Sequence, residues 1–506
     1  MATRSNRFLA GVLTGYGSIG VNIVFTLTSI PLALSYLTKE EFGLWALALQ
    51  FNGYLGLIDF GMSGSVGRFL ADHKDDVNGA SYREYFSTGT LVFLTQGILV
   101  VVVGIGMSWT APGLLSIPKN LEHDFSVILR ILCTISGVSI VSRSLGAPLW
   151  AFQRMDVVNL AGSIGLVLQF FAMWIGFHLG WGVLSFAYAA ATPTLVTLFI
   201  YSYVSIKHGY FPNRAGWMAP RWTVFKRIFG FGRDTMLVAL GSQLVNATQI
   251  TIISRILGLD AAAAFSIYTK LYSMSLQLFH KVVESAAPGL AEMHVRGELK
   301  SFVMRYWDII AITIASATAG AIALTSCNSA FVSLWTRGKF SSSLTLDLLL
   351  GLLVLVTSLS RCFVAIFGIT KNLRTVRIIY FIEGVVFVPS AVFAARWYGI
   401  EGVLAASLVV HIAVTLFTSG RAASKILGSC RPMLGGIVLS ISMMIVALGV
   451  AWVASFLLLS PELRLIIGSL LVFASALIVW PTIIPKEIRL RVLSTLIASA
   501  RRIRNS

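Results

Sequence analysis

Charge is scarce in this 506-residue chain: only 12% of it is Asp, Glu, Lys or Arg, against about 25% in soluble domains. That shortage excludes an ordinary water-facing surface. Cysteine is nearly missing, with Cys133, Cys327, Cys362 and Cys430 the four present. No two of them form a C-x-x-C or a metal-ligand spacing, which argues against a zinc ribbon or a thiol redox motif. The seven histidines, at 73, 123, 178, 208, 280, 294 and 411, are scattered without a metal motif. The chain has no Gly-rich phosphate loop and no nucleophile elbow. Nor does it have long loops; the longest expected on the outer side, about residues 110–123, is small for an ordered active site. No enzyme and no cofactor is expected.

What the chain has is apolar length. Hydrophobic residues make up 56% of it, and its mean hydropathy is +0.82. Runs of 18 or more apolar residues recur from end to end, each long enough to cross a bilayer as a helix. Fourteen spans are expected, over about 10–36, 43–67, 84–109, 124–151, 156–178, 181–205, 232–257, 262–287, 306–326, 343–369, 376–395, 399–419, 432–458 and 463–484. Arg4 and Arg7 precede the first, as in a signal peptide, but the apolar stretch runs on to Tyr36 with no small-residue cleavage site. It is read as a retained span. The expected fold is therefore all-α and integral to the membrane.

The net charge of +18 does not point to nucleic acid, because the cations are unevenly placed. Most Lys and Arg fall on the side of the termini when spans alternate, which makes both termini cytoplasmic. The segment KHGYFPNRAGWMAPRWTVFKRIFGFGRD (207–234) mixes cations with Trp and Phe. Such a mixture suits an amphipathic element lying on anionic headgroups. The tail with Arg501, Arg502 and Arg504 reads the same way, and topology signalling alone also accounts for most of these cations. The sequon Asn246-Ala-Thr lies inside a span and is read as a chance match.

The chain is written twice. Gly182-Val183-Leu184 matches Gly402-Val403-Leu404, and Val196-Thr197-Leu198-Phe199 matches Val414-Thr415-Leu416-Phe417. GSIGVN (17–22) matches GSQLVN (241–246), and Ser-Arg at Arg143 matches Ser-Arg at Arg361, 218 residues on. Spans 1–6 and 7–12 are thus read as two six-helix lobes. An even number of spans separates equivalent helices, so the lobes form a parallel repeat with a cavity between them. The expected division is residues 1–206 for the first lobe, 207–231 for a cytoplasmic amphipathic linker and 232–425 for the second lobe. Residues 426–485 hold helices 13 and 14, and 486–506 form a basic cytoplasmic tail. Pro31, Pro148, Pro193 and Pro288, and the cluster Gly61, Gly64 and Gly67, fall inside spans as hinges or close-packing points.

Six charges lie inside spans: Asp59, Arg130, Arg143, Lys270, Arg361 and Glu383. Each costs about 2.5–3.5 kcal/mol at the bilayer centre on insertion scales, so most should face a wet cavity or a partner. Arg143 and Arg361 both fall roughly 7–8 Å to the cytoplasmic side of the midplane. Two guanidiniums so placed make an anion site, because the planar fork grips phosphate bidentately. Lys270 adds a point charge to the same cavity. Arg130, nearer the outer end, either marks an exit step or snorkels. The alternative for Arg143 and Arg361 is an ion pair with Asp59 or Glu383 that locks helices together. Asp59 pairs with an arginine, Arg68 included, or carries a proton, and Glu383 has the same two options. Glu40-Glu41 is read as a solvated turn.

IPLALSYLTKEEFGLWALAL (30–49), LGLIDFGMSGSVGRFLAD (55–72) and ESAAPGLAEMHVRGELKSFVMRYW (284–307) resemble the polysaccharide transporter family. That family sits in the superfamily of multidrug extruders and lipid II flippases. The resemblance implies two six-helix lobes arranged as a V. It also implies alternating-access movement of undecaprenyl-diphosphate-linked oligosaccharide across the bacterial inner membrane. Lipid II flippases are expected to carry an arginine in the first span, and residues 8–36 hold none, so lipid II is the poorer substrate. The expected protein is a multi-pass inner-membrane flippase of exopolysaccharide or O-antigen synthesis. Its partners are membrane lipid, the lipid-linked oligosaccharide and the polymerase or export machinery, with no nucleic acid. The driving ion, H+ or Na+, stays open. A multidrug exporter is the second reading, disfavoured by a cationic cavity, and a membrane-embedded polysaccharide polymerase is the third.

Overall fold

With no water in the bilayer core, each backbone N–H and C=O needs a partner within its own segment, and a helix supplies one. The computed structural model describes residues 4–212, 218–370, 373–428, 431–457, 459–484 and 489, all as helix and short connections, with no strand among them. Cys430 and, apart from Arg489, the basic tail 486–506 lie outside the described residues. In chain order the helices are α1 Arg4–Tyr36, α2 Lys39–Leu55, α3 Met62–Asp72, α4 Ala80–Leu115, α5 Lys119–Ala151 and α6 Met155–His178. They continue with α7 Leu184–Ala189, α8 Ala191–Lys207, α9 Trp222–Leu257, α10 Leu259–Tyr268, α11 Lys270–Val295 and α12 Leu299–Trp335. The last five are α13 Leu344–Ile369, α14 Leu373–Val410, α15 Phe417–Leu427, α16 Arg431–Phe456 and α17 Pro461–Ile483.

Among the described residues eleven helical segments are long and apolar enough to cross a membrane. One of them, Arg374–Leu427, is 54 residues long, well beyond the ~20 that one crossing needs. It breaks at Gly399 (φ 61°, ψ −141°). Trp109, Phe199, Trp397 and Phe456 are each more than 70% exposed. Apolar surface on that scale suits lipid and not water. The chain is a multi-pass membrane protein.

Three expected boundaries change. The span expected over 43–67 ends at Leu55 and gives way to a 3-10 turn at Gly56–Asp59. Phe60 (φ 50°) and Gly61 (φ 69°) then adopt the left-handed conformation before α3 starts. Gly61 does so freely because it has no Cβ; a hydropathy window sees only apolar residues there. The outer loop expected over 110–123 shrinks to 116–118, since α4 and α5 both run further than their apolar centres. The span expected over 262–287 divides at Thr269. Thr269 Oγ1 donates to the Phe265 carbonyl at 2.8 Å, a back-bond that bends helices.

Contacts divide the chain into two compact units, residues 1–264 and 265–506. In the first, α4 and α5 meet along a seam of small residues. A Cβ added to Gly97 would lie 2.7 Å from the Gly137 carbonyl, so the backbones touch where side chains would separate them. The core beside the seam holds Val66, Leu70, Tyr82, Phe86, Phe93 and Ile140. The start of α9 docks on it through buried Val224 and Ile228, and Arg221 pairs with Glu84 at 2.8 Å. In the second unit α12 is central, its apolar window 61% buried against 17% for α17. Ala321 and Ile322 pack on Met444 and Ala447 of α16. At the α2 start, Thr38 Oγ1 accepts from Glu41 N at 3.2 Å while Glu41 Oε2 accepts from Thr38 N at 2.8 Å. Glu40-Glu41 thus belongs to a capping box.

Candidate functional site

In the first unit the break after α2 places Asp59. Its carboxylate accepts from Arg143 of α5, Nη1 to Oδ1 at 2.9 Å, and from the Ser63 hydroxyl at the start of α3. Arg143 Nη1 also donates to Ser63 Oγ at 3.0 Å. The main-chain carbonyl of Asp59 accepts from Gln96 Nε2 of α4 at 2.8 Å. Three segments thus converge on one residue. Nearby, the Ser136 hydroxyl donates to Asn52 Oδ1 and joins α5 to α2. The Arg143 side chain is 38% exposed and Asp59 16%, so the guanidinium retains an open side. Arg68 takes no part: its guanidinium lies 4.8 Å from the Phe231 ring centroid.

In the second unit Arg361 sits on α13 and pairs with Glu284 of α11, Nη2 to Oε1 at 3.4 Å. Lys281 shares that carboxylate at 3.7 Å. Glu383 does not meet an arginine. It is 2% exposed on α14 and accepts from Thr415 Oγ1 at 2.6 Å and faces His411 Nδ1 at 2.5 Å. His411 and Thr415 share a π-helical turn, His411–Leu416, between α14 and α15. A carboxylate so removed from water needs such partners, because an unpaired buried charge costs several kcal/mol.

Lys270 opens α11, directly after the division at Thr269. Arg130 is exposed on α5, and its Nε donates to the Ser126 carbonyl one turn back at 3.1 Å. That is the geometry of a side chain reaching along its own helix. Glu284, His411 and Thr415 are not among the site residues expected from the sequence. A lone histidine in LVVHIAVTLF with threonine four residues on, both on one helix face, is the signal that was available. Among the described residues no three His, Cys, Asp or Glu side chains gather closely enough to hold a metal ion.

Charged groups are thus held in pairs inside apolar helices. Residues 10–294, more than half of the chain, match the family described as "Polysaccharide biosynthesis protein". The chain belongs to that family. It is 24% identical over 254 residues to a putative O-antigen transporter of Shigella flexneri, covering 48% of this chain and 57% of that relative. Its fold is similar to that of the lipid II flippase MurJ in an inward closed conformation, with a TM-score of 0.70 and 14% identity, covering 93% of this chain and 98% of the other. An inward-facing multidrug transporter of the MATE family in the MOP superfamily is also similar, with a TM-score of 0.66 and 15% identity, covering 80% and 96%. At these identities the two structures speak for the fold.

Proposed function

We propose that this protein is an inner-membrane flippase for undecaprenyl-diphosphate-linked oligosaccharide repeat units of exopolysaccharide or O-antigen synthesis, working by alternating access. The reading rests on fourteen spans in two six-helix lobes, residues 1–206 and 232–425. An amphipathic linker over 207–231 joins the lobes, and helices 13 and 14 follow over 426–485. Both termini are cytoplasmic. The protein performs no covalent chemistry. The observation that carries the reading is the pair Arg143 on α5 and Arg361 on α13, read as equivalent in the repeat and each with a side chain more than a third exposed within an apolar helix. Guanidinium is the group that grips a diphosphate bidentately. Each arginine has a carboxylate that the substrate's phosphate displaces, and that neutralises the cation while the site is empty. Lys270 adds charge, and Asp59 and Glu383 are the carboxylates that couple binding to the cycle.

The test is a strain lacking the protein, in which the sidedness of the lipid-linked oligosaccharide is measured. Build-up on the cytoplasmic face, relieved by wild type and not by Arg143→Ala/Arg361→Ala at equal protein level, is the expected result. Relief by the double variant would leave the arginines as structural ties. No build-up would point to drug export, the reading favoured by the likeness to the MATE transporter. A cavity lined by arginine repels cationic drugs, so Arg143→Glu should then raise cationic dye export.

A further inference from the structure

Arg143 is not the first polar residue on its face of α5. Ser136, Ser139 and Arg143 recur at helical spacing, so all three lie on one side. Two of them meet the α2 segment in the same register. The Ser136 hydroxyl donates to Asn52 Oδ1, and seven residues further along each segment Arg143 meets Asp59. Ser136 lies at the middle of α5, a helix long and apolar enough to cross a membrane. Helix α9 adds to the same place. The Gln243 amide lies beside Gly53, the residue after Asn52: a Cβ built there would stand 3.5 Å from Gln243 Oε1. The Tyr54 hydroxyl and Thr248 Oγ1, 2.7 Å apart, clip α9 to α2 one residue on. All of these residues belong to the first compact unit.

The hydrogen bond between Ser136 and Asn52 ties two helices, as polar side chains in membranes commonly do. It leaves most of the polar capacity unused. An asparagine amide carries two N–H donors, and a glutamine amide carries two donors and an acceptor oxygen. Among the described residues the Asn52 amide nitrogen, the Ser139 hydroxyl and the Gln243 amide make no hydrogen bond, and all three residues are half-buried. An amide open to hydrocarbon is costly, so the open sides of these groups require water or a polar solute. Neutral amides and hydroxyls, which both donate and accept, match the hydroxyls of a sugar, whereas phosphate calls for a cation. The rise of α5 sets Ser136 about 10 Å from Arg143 along the helix axis. A diphosphate and the sugar bonded to it span that distance.

We propose that Asn52, Ser136, Ser139 and Gln243 form a subsite for the uncharged hydroxyls of the sugar bonded to the diphosphate, two turns of helix from Arg143. The subsite rests on the reading of Arg143 as a diphosphate contact. It separates two tasks on one helix face. The arginine holds what lipid-linked substrates have in common, and the amides read the part in which they differ. A sugar that offers no hydroxyl where an amide waits leaves that amide unpaired, which is the basis of discrimination.

Binding to the purified full chain in nanodiscs tests this. Farnesyl diphosphate is the probe without sugar, and farnesyl diphosphates bearing glucose, galactose or N-acetylglucosamine are the probes with one. Wild type should bind at least one sugar probe about tenfold more tightly than farnesyl diphosphate, the effect of two neutral hydrogen bonds. Gln243→Met keeps the length of the side chain and breaks no hydrogen bond among the described residues. Its unfolding midpoint should match wild type, while its preference for the sugar probe falls to about twofold or less. Asn52→Ala should lower the preference in the same way. Arg143→Ala should weaken every probe by a common factor. A wild type with no preference for any sugar probe overturns the subsite, as does a full preference surviving in both Gln243→Met and Asn52→Ala. Farnesyl diphosphate binding that Arg143→Ala leaves unchanged overturns the diphosphate reading instead, and the subsite is then decided by Gln243→Met and Asn52→Ala alone. A wild type that binds none of the probes overturns both.

Discussion

Asp59 and Glu383 are both carboxylates set within apolar helices, and the protein holds them in opposite ways. Asp59 sits at a backbone break, partly exposed, with a permanent cation opposite and one serine hydroxyl, that of Ser63, bonded to both charges. Glu383 sits mid-helix, ahead of the break at Gly399, almost sealed, with a histidine that is charged only when protonated. A guanidinium keeps its charge at any ordinary pH. The second carboxylate is held by a histidine and a threonine, neither of them a permanent cation. Two sites that read alike as intramembrane acids therefore differ in what disturbs them.

Substitutions test that difference in order of effect. Glu383→Ala should be the most damaging, because it strands His411 and Thr415 in a dry site. A loss of about 2–4 kcal/mol is expected, read as a lower midpoint of thermal unfolding in detergent; a neutral result would mean that the pair is wetter than its 2% exposure implies. Arg143→Ala leaves Asp59 with Ser63 alone. About 1–3 kcal/mol should be lost, less than for a fully buried pair because the arginine is 38% exposed. Adding Asp59→Asn to it should recover much of that stability without restoring flipping. Recovery of flipping as well would show the pair to be structural only. Arg361→Ala removes a looser pair at 3.4 Å. Unfolding should shift by no more than about 1 kcal/mol, while lipid-linked oligosaccharide accumulates as in the null strain. Arg130→Ala touches only its own helix, and both stability and flipping should stay within about 0.5 kcal/mol of wild type.

Composition and periodicity reveal much of this molecule. Apolar runs show where helices lie, because in lipid a helix is the only open-chain solution. The matching Ser-Arg pairs make Arg143 and Arg361 the expected counterparts. The partners are another matter. Arg143 meets Asp59 across 84 residues, Arg361 meets Glu284 across 77, and Glu383 meets His411 across 28. Helical spacing tells which face a residue occupies and not which helix lies opposite. Asp59 and Glu383 are the expected partners of both arginines, which holds for Arg143 with Asp59 but not for Arg361, whose partner is Glu284. The break at Phe60–Gly61 is also hidden, because two left-handed residues do not lower the hydropathy of the run around them.

The seam between α4 and α5 has a mechanical consequence. Where Gly97 and Gly137 bring two backbones into contact, neither helix can slide or roll without a clash. The two behave as one stiff beam, and Arg143 is a fixture on it. Asp59 hangs from the turn beside that beam, with a 3-10 segment and two left-handed residues serving as its joint. Prising the guanidinium free is therefore a matter of swinging the acid away on its short tether while the arginine stays still.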